Sequence, residues 1–380
     1  MLKTGQSHSD IKKIILFTGG GSGGHVLPAL TLINELKQRP DVEIRYIGSK
    51  LGIEKQLALA QGLKYFEIST GKLRRYFSWE NFKDIFRVVK GLFDAGQLII
   101  AAKKDIEKET KKTGDVLVFS TGGFVSVPVA IAGRLLGVKV FIHEQTARAG
   151  LANRICGFFA HKVFVSFEDS VQFFCKRKTE CSGYPLRRDC FTKTVNPLLI
   201  SGKNILDIDR PILFITGGGN GSLLLNNLVK NNLPELCKKF RIIHQVGKNF
   251  LSEFFPLQNE SYYTFDFINV GMIDILKRAD VVISRAGAGT VSELLAIGRP
   301  SIFIPLPHAQ KNEQYFNALE AKNKIGSLIL KESELMKIDF IQTLDEFIKA
   351  KPIPSTSIAL NGLDFLLKKI EMEFLGPKPL

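Results

Sequence analysis

The sequence predicts an α/β chain of two doubly wound domains facing a cleft, on three observations. Short apolar, β-rich runs alternate with longer helical patterns, which calls for parallel βαβ units. That grammar lapses through FTKTVNPLLISGKNILDIDR (191–210), where turn formers dominate, and then restarts. Each half also opens on a strand running into a glycine cluster, ILFTGGGSGG at 15–24 and ILFITGGGNGS at 212–222.

Taken in order, KKIILFT, EIRYIG, KYFEIS, DVLVFS, VKVFIH and KVFVSF are the strands of the first 170 residues. RPILFIT, RIIHQVG, DVVISRAG and PSIFIP are those of the second half, reached through a linker after about residue 185. The stretch SIALNGLDFLLKKIEMEF places Leu360, Leu363, Leu366 and Leu367 on one helical face able to pack on either domain. The expected division is 1–184, 185–355 and a C-terminal helix over 356–380 that can pack back on the N-terminal domain.

At 380 residues, 45% hydrophobic and 23% charged, the chain has the means to bury a sizeable core and is too apolar to stay disordered. A formal net charge of +15 points to an anionic partner: nucleic acid, acidic lipid or a phosphorylated metabolite. Cys156, Cys175, Cys181, Cys190 and Cys237 form no CxxC pair, which gives a structural zinc site no support, and their odd number speaks against a disulfide scaffold. The N-terminus carries an apolar run only from Ile14 to Phe17 before the glycines, unlike a signal peptide. No apolar stretch approaches the roughly 18 residues of a spanning helix, so membrane contact is expected to be peripheral and the compartment cytoplasmic.

A strand ending in Gly19–Gly20–Gly21–Ser22–Gly23–Gly24 brings backbone N–H groups close to a ligand at the positive end of the next helix, and an anionic group is expected there. Gly19, Gly21 and Gly24 satisfy GxGxxG, but the second strand ends YIGSK without the carboxylate a dinucleotide site needs at its tip. No GxxxxGK[ST] is present, which removes a P-loop. His25, directly after the cluster, is placed to shuttle protons beside a substrate. In the second half, ISRAGAGTVSELL leads from a strand through small residues into a helix with Glu293 in its first turn, where a carboxylate can accept sugar hydroxyls or merely complement the dipole.

These segments together resemble the MurG family of glycosyltransferases, which add N-acetylglucosamine to lipid I on the cytoplasmic face of the membrane to make lipid II. The resemblance rests on TGGGSGGHVLPAL (18–30), GGFVSVP (122–128), HEQTARAGLANR (143–154), GYPLR (183–187), SRAGAGTVSE (284–293) and QYFNA (314–318), in that order and spacing. It implies a GT-B fold of two Rossmann-like domains, with UDP-N-acetylglucosamine in the C-terminal domain and the lipid-linked acceptor in the N-terminal one. It also implies inverting transfer with no cofactor and no metal-binding Asp-x-Asp motif; Asp207 to Asp209 reads as a solvated turn.

By the same resemblance Glu293 holds the ribose hydroxyls, and the backbone of Ala288, Gly289 and Thr290 faces the nucleotide. Arg187 lies near the donor, Gln314 contacts its sugar, and Gly218, Gly219 and Asn220 form the second glycine loop. Ser22, Gly23 and Gly24 line the transfer site on the donor side, with His25 the first candidate for general base and Glu144 the second. Gly123, Gln145 and Thr146 are the expected acceptor contacts. The chain departs from the family in reading GGGNGS where GGSQGA is usual, so a serine hydroxyl is missing at Gly219, and in having Thr146 and Phe124 where Asn and Tyr are common.

Between the third and fourth strands, GKLRRYFSWENFKDIFRVVKGLF (71–93) sets Phe82, Ile85, Phe86, Val89, Leu92 and Phe93 at helical spacing beside a Lys83, Arg87, Lys90 stripe. The helix can pack on the sheet as an ordinary layer helix or lie in the headgroup region; for Lys72, Arg74, Arg75, Phe77 and Trp79 the acceptor's polyprenyl chain favours contact with an anionic membrane surface. A related transferase acting on diacylglycerol is the alternative enzyme. A nucleic-acid-binding protein is the alternative class, which no RRM, KH, helix-turn-helix or zinc-finger signature supports.

Overall fold

The computed structural model describes residues 13–71, 79–110, 115–200, 202–207, 210–268, 270–307, 312–350 and 361–376. The chain forms two compact units, Met1–Pro185 with Asn361–Leu380, and Leu186–Leu360.

In the first unit β1 (Lys13–Gly19), α1 (Gly23–Leu36), β2 (Val42–Ser49), α2 (Ile53–Ala60), β3 (Lys64–Ile68), α3 (Trp79–Thr110), β4 (Asp115–Gly122), α4 (Ser126–Leu135), β5 (Lys139–Glu144), α5 (Leu151–Phe159), β6 (Lys162–Val165) and β7 (Thr179–Cys181) follow one another. The seven strands lie in the order β3-β2-β1-β4-β5-β6-β7, all pairs parallel. Because successive strand side chains face opposite ways, one apolar run feeds two cores. Ile14, Leu16, Val116, Val118, Val140 and Ile142 pack with residues of α3, α4 and α5 on one face. Ile15, Phe17, Leu117, Phe119, Phe141 and Phe164 pack with α1 on the other.

The second unit contains β8 (Leu199–Ile200), β9 (Lys203–Asn204), β10 (Ile212–Thr216), α6 (Leu223–Lys239), β11 (Arg241–Gln245), α7 (Leu251–Phe254), β12 (Tyr262–Phe265), α8 (Met272–Arg278), β13 (Val281–Ser284), α9 (Ala288–Ile297), β14 (Ile302–Phe303), α10 (Glu313–Ile325), β15 (Leu328–Ile329) and α11 (Phe340–Ala350). Its sheet, β12-β11-β10-β13-β14-β15, repeats the strand order of the first. The expected linker is more structured than its composition suggests. It holds the antiparallel β8–β9 hairpin and buries Leu186, Cys190, Ile205 and Leu206. Four apolar side chains spaced through a turn-rich stretch carry no period, so the sequence pattern does not show them.

The last helix, α12 (Gly362–Ile370), belongs to the first unit, where Leu363, Leu366, Ile370 and Phe374 join the α1 face of the core. Leu360, expected on the same face, lies outside the described residues. Phe365 meets Phe164 edge-on at 6.3 Å. Ion pairs tie the element down: Lys162 to Glu373 at 3.0 Å, and buried Arg39 to both Asp41 (2.9 Å) and Glu371 (3.4 Å). Burial alone would raise the Asp41 carboxyl, but the Arg39 guanidinium outweighs it and the net displacement is downward. Leu366→Ala is expected to cost about 2–5 kcal/mol in urea unfolding, whereas Leu51→Ala, at a side chain 93% exposed, changes stability by less than about 0.5 kcal/mol. Equal effects at the two positions would contradict the place given to α12.

Candidate active site

β1 and β4 are neighbours at the point where the strand order of the first unit reverses, and their C-terminal ends hold the first cluster of predicted residues. Two backbones meet there without side chains between them. Gly20 N–H donates to Gly122 O at 3.0 Å, and a Cβ on Gly123 would lie 2.1 Å from Gly20 O. Gly122 and Gly123 also take φ of 101° and 84°, which L side chains rarely adopt. The glycine pair of GGFVSVP is thus required by approach and by conformation, and Gly123 serves the loop-to-loop contact.

His25 is the third residue of α1 and is partly buried. Its Nδ1 lies 3.0 Å from Thr121 O and 3.2 Å from Gln145 Oε1. A carbonyl only accepts, so Nδ1 carries the proton and Nε2 keeps a lone pair without a partner among the described residues. Behind it, Gln145 Nε2 donates to His143 O at 3.0 Å and faces His143 Nδ1 at 3.3 Å, while His143 Nε2–H donates to Gly183 O at 3.1 Å. His143 is wholly buried; desolvation takes it down to about 4, against the upward pull of the Gly183 bond, so it stays neutral near pH 7. A row of neutral groups, Gly183, His143 and Gln145, therefore orients the ring of His25.

Three expectations change here. Gln145 was expected to touch the acceptor, but it is 1% exposed and its amide is committed to His25 and His143. Thr146 turns its hydroxyl inward between Glu144 Oε1 (2.7 Å) and Arg148 O (2.8 Å). Glu144, the second candidate for base, is 2% exposed and accepts from Thr146 N–H, Thr146 Oγ, Gly150 N–H and Asn153 Nδ2 at 2.7–3.3 Å. With both oxygens occupied it organises the loop after β5 and has no lone pair turned to a substrate. His143, Asn153 and Thr121, which sequence reasoning did not single out, complete this arrangement.

Ser22 precedes α1 with extended backbone and makes no side-chain cap, and Gly24 is exposed, so α1 opens on uncapped N–H groups. The expected anion is nevertheless present inside the protein. Gly21 N–H donates to Glu54 Oε2 at 3.2 Å. The carboxylate missing from the tip of β2 stands five residues further on, in the first turn of α2.

The second unit repeats the layout between β10 and β13. Gly218 takes φ 83°, Gly219 and Asn220 are exposed, and Gly221 at φ 75° passes so close to Val246 O that a Cβ would lie 2.0 Å away. Ser222 caps α6 by accepting Leu225 N–H at 3.4 Å and also accepts Arg285 Nε at 3.1 Å. Arg285 continues to Ile304 O (3.0 Å) and to Glu332 (2.6 Å), joining the loop to the end of β14. The hydroxyl absent at Gly219 is thus found three residues later, in a capping role.

Ala288, Gly289 and Thr290 open α9 behind Gly287, again without a side-chain cap, and all are partly exposed. Glu293 follows in that helix, partly buried, and accepts no hydrogen bond from the described residues. Desolvation pushes its carboxyl up to about 7; Arg187 pulls the other way and Asp189 adds to the rise. Arg187 lies 3.9 Å from Asp189. Cys190, buried beside them, has its thiol pushed to about 12 by burial and by the two carboxylates. Arg187, Asp189, Cys190 and Glu293 therefore form one cluster. Gln314 Oε1 accepts Leu306 N–H at 3.0 Å.

Of the expected membrane contacts, Lys72, Arg74, Arg75 and Phe77 lie outside the described residues, as does the side chain of Trp79. Further along α3 the anticipated apolar stripe divides. Gly91 is buried with Leu92 half-buried, while Phe86 (73%), Val89 (46%) and Phe93 (69%) are exposed beside exposed Arg87 and Lys90. Among the described residues no helix is long and apolar enough to cross a membrane, and no group of three or more His, Cys, Asp or Glu is placed to hold a metal ion.

Residues 15–165 match the glycosyltransferase family 28 N-terminal domain and residues 212–361 its C-terminal domain. A UDP-N-acetylglucosamine–N-acetylmuramyl-(pentapeptide) pyrophosphoryl-undecaprenol N-acetylglucosamine transferase of Clostridium tetani is 39% identical over 370 residues, 95% of this chain and 98% of that protein. A Clostridium botulinum protein of the same name is 39% identical over 369 residues with the same coverage. Among solved structures, Acinetobacter baumannii MurG superposes with a TM-score of 0.61 at 24% identity, covering 96% of each chain, and bears on the fold alone.

Glu144→Ala leaves the Thr146 and Gly150 N–H groups unpaired and the Asn153 amide with only His143 O, and is expected to cost about 3 kcal/mol or more in urea unfolding. A variant as stable as the parent would return Glu144 to the list of catalytic candidates.

Proposed function

The chain belongs to glycosyltransferase family 28, in its MurG branch, and on that premise we propose how its residues make the β-1,4 bond of lipid II. It is a hexosyltransferase. The reaction moves N-acetylglucosamine from UDP to the C4 hydroxyl of the muramyl residue of lipid I, with inversion at C1.

The observation that carries the mechanism is the ring of His25, whose Nδ1–H is tied back to Thr121 and Gln145 while Nε2 stays available. As the C4 oxygen bonds to C1, its proton passes to Nε2, and the neutral row behind the ring keeps the basic nitrogen in place. On the donor side, the partly buried Glu293 carboxylate has no hydrogen-bond donor among the described residues and is suited to the two ribose hydroxyls. Charge builds on the departing diphosphate, and the open N-terminus of α9 with Arg187 supplies the compensating field. Gly219 and Asn220 bring backbone N–H groups toward the phosphates, Gly218 shapes the turn with its own N–H held by Thr216 Oγ at 3.0 Å, and Gln314 lies toward the sugar. In this reading no metal or other cofactor takes part, and chelator leaves turnover unchanged.

The exposed Phe86, Val89 and Phe93 with Arg87 and Lys90 suit α3 to the headgroup layer, which makes the protein a peripheral one on the cytoplasmic face of the membrane that carries its acceptor. Nucleic acid is not a partner in this reading.

Transfer from UDP-N-acetylglucosamine to a lipid I analogue is the deciding assay, and turnover only with diacylglycerol would reject the proposal. His25→Ala should lower kcat by about 100-fold or more with UDP affinity within about twofold. Glu293→Gln should chiefly weaken UDP. In the parent, UDP affinity should rise about tenfold between pH 6 and pH 8 as Glu293 ionises through its raised value of about 7, a rise lost in Glu293→Gln. For the membrane, Phe86→Ser with Phe93→Ser should abolish flotation with anionic liposomes and leave the fold intact. Retained flotation, or binding to RNA but not to liposomes across a salt series, would count against the assignment.

A further inference from the structure

The row of groups behind His25 starts at the Gly183 carbonyl, and a residue from the far end of the chain is seated against it. Gly362 opens α12 and is buried, and a Cβ placed on it would lie 2.5 Å from Gly183 O and from the C and O atoms of Tyr184. Those are backbone atoms, which cannot swing aside as the tip of a long side chain does. Gly362 takes no positive φ, so the requirement is one of space alone. Nor can the helix back away. Asn361 caps it by accepting Asp364 N–H at 3.3 Å, and Leu363, Leu366 and Ile370 are set in the core.

On the other side of the contact, Gly183 takes φ 79° and its carbonyl accepts His143 Nε2–H at 3.1 Å and Ser182 Oγ at 2.9 Å. Ser166 Oγ stands further from Nε2, at 3.4 Å, and the Tyr184 ring meets the imidazole edge-on at 6.4 Å. With its proton on Nε2, His143 turns a lone pair on Nδ1 toward Gln145 Nε2 at 3.3 Å. Gln145 Nε2 also donates to His143 O at 3.0 Å, and its Oε1 is thereby presented to His25 Nδ1 at 3.2 Å. Were the His143 proton on Nδ1 instead, two donors would oppose one another and the amide would turn round. Its NH2 would then face the Nδ1–H that Thr121 O requires of His25, and the ring would lose one of its two anchors.

We propose that Gly362 is a positioning residue for the transfer reaction. By seating the start of α12 against Gly183 it keeps that carbonyl on His143, and so keeps the Gln145 oxygen turned to His25. It acts through these three residues and not on the imidazole directly. This role rests on the reading above that His25 Nε2 takes the C4 proton.

Gly362→Ala, made in the full chain, tests it with three readouts: kcat with a lipid I analogue, UDP affinity by calorimetry, and the imidazole 15N spectrum of His25, which reports the tautomer. The parent should show a single form protonated on Nδ1. Gly362→Ala should lower kcat about tenfold or more, leave UDP affinity within about twofold and turn the His25 signals into a mixture of tautomers. In a His143→Phe background, where the link is already cut, adding Gly362→Ala should change kcat by less than about twofold. Parent-like kcat in Gly362→Ala would overturn the inference. So would a lowered kcat with the His25 tautomer unchanged, which is the mark of a merely structural role, or losses that multiply in the double variant. Where Gly362→Ala does not fold, His143→Phe alone decides, because an unaltered His25 tautomer there removes the route through which Gly362 acts. Full turnover in His25→Ala would refute the assignment of the base instead, and the tautomer measurement would still judge Gly362.

Discussion

The first unit is organised around one backbone-to-backbone contact, that of Gly20 with Gly122 and Gly123. β1 and β4 run side by side, and their connections diverge to opposite sides of the sheet, so the two turns can meet only where neither bears a side chain. That approach sets Thr121 O beneath α1 and so decides which nitrogen of His25 holds the proton. Widening it by a single methyl group would move the helix that carries the imidazole.

Around that contact, buried carboxylates act as organisers. Glu144 gathers the loop after β5, and through Gln145 that loop backs the ring of His25. Glu54 gathers the turns after β1 and β2. Both are satisfied by backbone N–H groups and short polar side chains, which fix position more sharply than an exposed ion pair with two mobile partners. Glu293 is the contrasting case: its carboxyl is desolvated and raised, and it accepts no hydrogen bond from the described residues.

The two units share a strand order and a glycine turn at its reversal, but different side chains lie under the turn. The Glu54 carboxyl group stands under one and the Gln245 amide under the other, each hydrogen-bonded to its own loop.

Much of this was legible in the sequence. The long apolar strands, the glycine turns, the two-unit plan and the motifs of the family are local patterns, because period and glycine placement follow from backbone geometry a few residues at a time. The short strands β7, β12 and β15 and the buried residues of the linker were not, since two to four residues carry no period. His25 and Glu293 stand out in the sequence because each follows a strand-to-helix turn. The sequence by itself thus determined the fold class, the family and the glycine turns at the strand ends. Only the tertiary structure decided that Gln145 and Glu144 support the site from within, that α3 leaves three apolar side chains in the open, that α12 completes the first core, and that Glu54 occupies the first glycine loop. Each of those outcomes depends on how a side chain is enclosed by segments distant in the chain, and enclosure has no local signature.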